Sequence, residues 1–274
     1  MKLLEKLKEA KRNHKALLAA NFYNFETCEG IVKAAAKMQQ PVILQLTKNS
    51  IEYMGLKTSV KIGRSVSEEF NVISWLHLDH CRDVKLIKLC LDEGFDSVMI
   101  DASDKRIEEN IKITKQVVGI ASTYDVNVEA ELGAVPKPNS EIEPDKFTNP
   151  SETERFVKET GVSSLAVAIG TKHGFYKGEP KLDIQRLIQI SKITDACLVL
   201  HGGSGIPADM LKQAIKNGIS KVNIATETKD LFIKTLKEKM QNTDEIDLRK
   251  IFPLAINEIQ KLIEQKLKIV SMLN

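Results

Sequence analysis

The chain reads as an α/β protein: one (β/α)8 barrel of the TIM type over residues 1–274, with additional helices at its C-terminal end. Three observations predict it. Eight short apolar runs recur along the 274 residues, the segments between them carry helical spacing, and each run ends in polar side chains. Strands buried on both faces read as continuous apolar runs, as expected for a parallel barrel wrapped by helices. Eight such units suit a barrel of about 250 residues, and the chain is long enough to bury one large core.

The apolar runs fall at 16–20, 42–46, 73–78, 97–100, 126–132, 164–169, 196–200 and 221–224. Between the first two, Glu26 to Met38 places Ile31, Val32, Ala35 and Met38 on one helical face. Val84 to Leu91 does the same with Leu86, Ile87, Cys90 and Leu91, and Met210 to Ile215 forms a third such segment. Gly94, Gly161 and Gly218 each follow a helical stretch and precede a strand, where helix stops belong. An open doubly wound sheet would carry a glycine fingerprint after its first strand. Here that strand runs into Asn21-Phe22-Tyr23-Asn24. The polar ends decide for the barrel. They are Asn21, Gln45 with Thr47, Asp79 with His80, Asp101, Glu131, His173 on an extended sixth run, His201 and Asn223. A barrel gathers such ends at one mouth, whereas an open sheet scatters them.

Composition excludes several function classes. The formal net charge is +3, and basic residues alternate with acidic ones. Lys-rich stretches such as 234–239 read as solvated helix faces, so no nucleic-acid partner is expected. No apolar run reaches membrane-spanning length, and the amphipathic N-terminus is unlike a signal peptide. A cytoplasmic protein without a membrane partner is expected. Cys28, Cys81, Cys90 and Cys197 show no CxxC pairing and read as free thiols.

Five histidines are present, and His80, His173 and His201 stand at three strand ends. Three imidazoles around a zinc-like ion leave a coordination position open, the mark of a catalytic site. His77, an odd number of residues before His80 on the strand, is expected to face away from the site. His14 is expected in the N-terminal helix, in solvent. Asp79 beside His80 suits proton transfer, a helix cap, or a partner for a ligating imidazole. Gly202-Gly203-Ser204-Gly205 follows the seventh strand, and Asn223 to Thr226 ends the eighth. Barrels often bind phosphate in these two loops, where glycine admits close approach and Ser204 and Thr226 add hydroxyl donors. A dication, a carboxylate and a phosphate cradle together suit aldol chemistry on a phosphorylated ketone.

These stretches closely resemble the class II, zinc-dependent ketose-bisphosphate aldolases, in particular the tagatose- and fructose-bisphosphate branch. The resemblance runs from Ala19 to Thr228. It rests on HLDH at 77–80, MIDAS at 99–103, EAELG at 129–133, SLAVAIGTKHGFY at 164–176, LVLHGGSG at 198–205 and KVNIATE at 221–227. It implies Zn2+ on His80, His173 and His201, and Asp79 as the acid/base for the aldehyde oxygen. It implies a dihydroxyacetone phosphate site made by Gly174, Gly202, Gly203, Ser204, Asn223, Ile224, Ala225 and Thr226, with Asn223 near the enediolate. Asp101 and Glu131 match acidic positions toward which the metal can shift. Asn21 and Thr47 are further candidates at the mouth. A homodimer or homotetramer and a monovalent cation activator are also implied.

The resemblance breaks after EAELG. A glycine-rich loop carrying a base is replaced by 134–145, stiffened by Pro136 and Pro138, where Glu141 or Glu143 stands in for that base. The C-terminal tail, 269–274, also lacks the Gly-Ser stretch common in the family. Two other readings follow from the residues. One is a Schiff-base aldolase using Lys172. The other is a sugar-phosphate-binding relative whose catalysis is impaired or altered.

Overall fold

The structure is a computed structural model that describes residues 1–136, 143–176, 178–241 and 243–273. Eight parallel strands close on themselves in sequence order. They are β1 (Leu17–Asn21), β2 (Val42–Thr47), β3 (Ser74–Cys81), β4 (Ser97–Ile100), β5 (Asn127–Leu132), β6 (Ser164–Val167), β7 (Cys197–Leu200) and β8 (Ile219–Ile224). Helix α1 (Leu3–Arg12) precedes the barrel, α2 (Phe25–Met38) follows β1, and α3 (Lys48–Met54) with α4 (Leu56–Glu69) follows β2. Then come α5 (Val84–Asp92), α6 (Ile107–Ala121), α7 (Pro150–Thr160), α8 (Ile184–Ile193) and α9 (Ala208–Lys216), one after each of the next five strands. The C-terminal helices are α10 (Thr226–Met240) and α11 (Leu248–Val270). The predicted barrel and its extra C-terminal helices are therefore present.

Side chains alternate along each strand, which sorts the interior into two zones. Outward residues such as Leu44, Leu46, Leu76, Leu78, Leu198 and Leu200 pack under the helix ring. Inward at the N-terminal end, Leu17, Ala19, Ile43, Trp75 and Cys197 form an apolar floor. Leu3 and Leu7 of α1 close that floor from below, and the Trp75 indole N–H donates to the Met1 carbonyl over 3.2 Å. Helix α11 lies against α2, with Ile259 pressed so close to Gly30 that a Cβ there would sit 2.7 Å from it. Caps fix the mouth-side helix starts: Asn24, Thr47 and Asp83 accept from the first turns of α2, α3 and α5.

Two details differ from the sequence expectation. β6 ends at Val167, so His173 lies on the following loop rather than on the strand. His14 follows α1 in an exposed left-handed turn at φ +50°.

Candidate active site

The C-terminal mouth of the barrel gathers His80, His173 and His201, one ligand atom from each lying within 4.8 Å of the others. The backbone explains how His80 joins them. In a regular strand Asp79 and His80 point to opposite sides. Between Leu78 and Cys81 the register with β4 slips, and His80 adopts φ +48°. A left-handed residue inside a strand is uncommon, and such a bulge re-aims a side chain. Asp79 therefore stays inward while His80 swings into the same mouth.

Hydrogen bonds choose the ring nitrogens. His80 Nδ1 lies 3.0 Å from Asp101 Oδ2, and His201 Nε2 lies 2.9 Å from Glu129 Oε1. An ionised carboxylate only accepts, so these nitrogens carry protons, which leaves His80 Nε2 and His201 Nδ1 as the ring atoms that would bind an ion once deprotonated. His201 Nδ1 sits 3.0 Å from Glu131 Oε2, yet neither atom has a hydrogen-bond partner among the described residues. Two buried, unsatisfied polar atoms facing each other fit a cation between or beside them. His173 is placed by its backbone, whose N–H donates to the Pro136 carbonyl over 2.9 Å.

The electrostatics of the metal-free cluster differ from ring to ring: His80 and His201 are raised and His173 is lowered. Burial, then the neighbouring His80 and His201, lower the His173 pKa to about 4, so its ring is neutral. Burial opposes protonation of His201 as well. The Glu129 bond and the nearby Glu131 carboxylate outweigh it and push the group up to about 10. Asp79 feels burial upward, but the positive neighbours, His80 first, hold its carboxyl below the usual range. It is 5 % exposed and ionised. Asn21 Nδ2 donates to its Oδ2 at 3.0 Å, and Asn223 Nδ2 lies 3.5 Å from its Oδ1. Asn223 Oδ1 is buried without a donor among the described residues, leaving an acceptor at the mouth.

The loops after β7 and β8 meet beside the histidines. Asn21, Asp79, His80, His173, Gly174, Gly202, Ser204, Asn223, Ile224, Ala225 and Thr226 line one cleft. Gly202 has φ +68°, and a Cβ there would overlap the Lys172 carbonyl, so only glycine fits. Ser204 Oγ accepts from the N–H groups of Ala225 and Glu227 at 3.3 and 3.4 Å, tying the two loops together and leaving its own proton to donate. Thr226 opens α10, whose first N–H groups have no partner within the helix. Such an end attracts anions.

Several expected site residues have other roles. The Gly203 N–H is taken by the Asn223 carbonyl at 2.9 Å, so Gly203 shapes the loop and does not face an anion. The Ile224 side chain is core, and only its backbone reaches the cleft. Thr47 caps α3 through Ser50. Lys172 places its ammonium 5.6 Å from the Tyr176 ring, and both residues line a separate cavity of about 500 Å3 outside the histidine cleft. Cys81 packs in the core. Glu143 is exposed and paired with Lys146 at 2.8 Å. Glu141 falls outside the described residues.

The sequence reading missed a polar layer directly below the site. His77, expected to face away, points into the barrel with Asp79, because residues two apart share a face. Its Nδ1 lies 2.8 Å from Ser97 Oγ, which also accepts from Asn127 Nδ2 at 2.9 Å. Burial, then the Lys221 charge, lower the His77 pKa to about 3. Lys221 and Glu129, both fully buried, pair at 2.7 Å. Their signal was present as i, i+2 polar pairs: His77/Asp79, Glu129/Glu131 and Lys221/Asn223.

A closed parallel barrel with this mouth places the chain among barrel enzymes that act at the C-terminal strand ends. The comparisons sharpen the class. The family model described as fructose-bisphosphate aldolase class-II matches residues 1–274. A fructose-bisphosphate aldolase of Geobacillus stearothermophilus is 39% identical over 270 residues, covering 96% of this chain and 94% of the relative. The crystal structure of the YdjI aldolase from Escherichia coli K12 superposes with a TM-score of 0.88 at 29% identity, over 98% of this chain and 96% of that one. The fructose-bisphosphate aldolase of Campylobacter jejuni, at 22% identity and a TM-score of 0.84, covers 99% of this chain and 95% of its own and speaks for the fold alone. The chain belongs to the class II fructose-bisphosphate aldolase family and is a carbon–carbon lyase, in a family typically dependent on a divalent metal.

Proposed function

We propose that the chain cleaves and condenses a ketose 1,6-bisphosphate of the fructose or tagatose type, giving dihydroxyacetone phosphate and an aldehyde such as glyceraldehyde 3-phosphate. The reading is carried by the convergence of His80, His173 and His201, whose ligand atoms lie within 4.8 Å of one another. His80, His173 and His201 hold Zn2+ or a similar dication on this reading. An ion held there would supply Lewis-acid polarisation of the ketose oxygens.

The remaining steps belong to the chain's own groups. Asp79, ionised and steadied by Asn21 and Asn223, takes the proton from the hydroxyl that becomes the aldehyde and returns it in condensation. Ser204, Thr226 and the Gly174 and Gly202 backbone receive the proximal phosphate. The Asn223 side-chain oxygen, Oδ1, accepts from a substrate hydroxyl. The carbon-bound proton is handled by the segment 134–145, with Glu141 as the candidate, since Glu143 is turned to Lys146. The relative from Geobacillus stearothermophilus supports a fructose-type substrate.

A panel of ketose phosphates tests this. Cleavage of a 1,6-bisphosphate with release of dihydroxyacetone phosphate is expected. Binding of that product with no cleavage of any ketose bisphosphate would instead make the chain a sugar-phosphate-binding relative.

A further inference from the structure

We infer that Lys221, resting on the metal reading above, is a positioning residue that fixes His201 and the frame of Asp79 from inside the barrel. Its ammonium has three donors and no acceptor. Each donor has a partner: Glu129 Oε2 at 2.7 Å, His77 Nε2 at 3.3 Å and the Gln45 side-chain oxygen at 3.2 Å. Lys221, Glu129, His77 and Gln45 are all fully buried, so water cannot substitute for any of them.

The three contacts lead to different parts of the mouth. Glu129 is held by Oε2 to Lys221, which leaves Oε1 to accept from His201 Nε2 at 2.9 Å. That bond sets the ring so that Nδ1 lies on the side away from Glu129, 3.0 Å from Glu131 Oε2. The Gln45 amide is assigned with its oxygen toward Lys221, the orientation that satisfies all its neighbours; so placed, it also accepts from Asn223 Nδ2 at 3.1 Å and donates to Asn21 Oδ1 at 3.2 Å. Asn21 in turn donates to Asp79. The third contact anchors the ammonium: His77 must accept, so its Nδ1 carries the proton and donates to Ser97. Lys221 itself does not line the histidine cleft.

The experiment compares Lys221→Met with the unaltered chain. Zinc affinity is read by competition with a chromophoric chelator, and geometry by the visible absorption of the cobalt-loaded protein. Partners behind a ligating histidine typically change metal affinity about 10–100-fold, and a loss in that range is expected. The cobalt band should shift as well, a change that a merely structural role would not produce. Folded Lys221→Met with zinc affinity within about twofold of the unaltered chain, below that range, and an unchanged cobalt band would overturn the inference. If Lys221→Met fails to fold, Lys221→Gln is read by the same two criteria. An unaltered chain that takes up neither zinc nor cobalt would overturn the metal reading too, whereas uptake with unchanged variant affinity overturns only this one.

Discussion

His201 and His173 occupy neighbouring corners of one cluster, yet the molecule holds them by opposite means. His201 ends β7 with no exposed surface, bonded to Glu129 and facing Glu131. Behind it stand Lys221, Gln45 and His77. His173 rides on a loop six residues past β6, partly exposed, and its ring has no side-chain hydrogen bond among the described residues. One side of the cluster is set by a buried charged lattice, the other by a backbone bond to Pro136. The lattice side can place a ligand without help from substrate. The loop side can move with the segments that cover the mouth, as active-site loops often do.

Alanine at either histidine should abolish metal retention and cleavage, the largest effect expected. The two variants should separate in stability. His201→Ala removes the partner of Glu129 Oε1 and the cation beside Glu131 Oε2, and breaking a buried pair from one side costs about 3–5 kcal/mol. His173→Ala breaks no comparable pair and should cost about 1 kcal/mol or less. Denaturant unfolding of the metal-free variants measures the gap; equal losses would break the contrast. Asp79→Ala comes next: turnover should fall about a hundredfold or more, the usual scale of acid–base catalysis, with metal retained. Ser204→Ala is smaller. A hydrogen bond to a charged group is worth about 1.5–3 kcal/mol, so inorganic phosphate should compete at least about tenfold more weakly, with metal content unchanged.

The lattice was only half legible. Strand positions could be read because apolar runs buried on both faces leave a continuous trace, and the ring of polar ends pointed to one mouth. The same polar residues were read as strand ends, however, and not as a period-two pattern running inward. That is why Asp79 and Gln45 stand out as strand ends while His77, Glu129 and Lys221 do not. Three details depend on backbone geometry with no residue-type signature: the slip at Leu78 to Cys81, the short β6, and the closed Gly203 N–H. The α1 floor plug depends on tertiary packing of Leu3 and Leu7 against Trp75.

A pH dependence of the metal-free fold is also expected. His77 and His173 are lowered from 6.5 to about 3 and about 4, so their neutral forms favour the fold above 6.5. That contribution is lost as pH falls from about 6.5 toward those values. His201 is raised to about 10, so its contribution is full below 6.5 and is lost as pH rises toward about 10. Thermal midpoints should therefore peak near neutrality and decline on both sides. A midpoint that climbs steadily to pH 10 would show that Glu129 and Glu131 do not hold His201 as described.

The central claim is that three imidazoles on these two unlike supports hold the ion that drives aldol cleavage. It is tested most directly by following ketose 1,6-bisphosphate cleavage and zinc content together, through exhaustive chelation and zinc return. Activity should vanish on chelation and recover in proportion to zinc, saturating at about one ion per chain, the count for a single catalytic site. Full cleavage by metal-stripped protein would contradict the account.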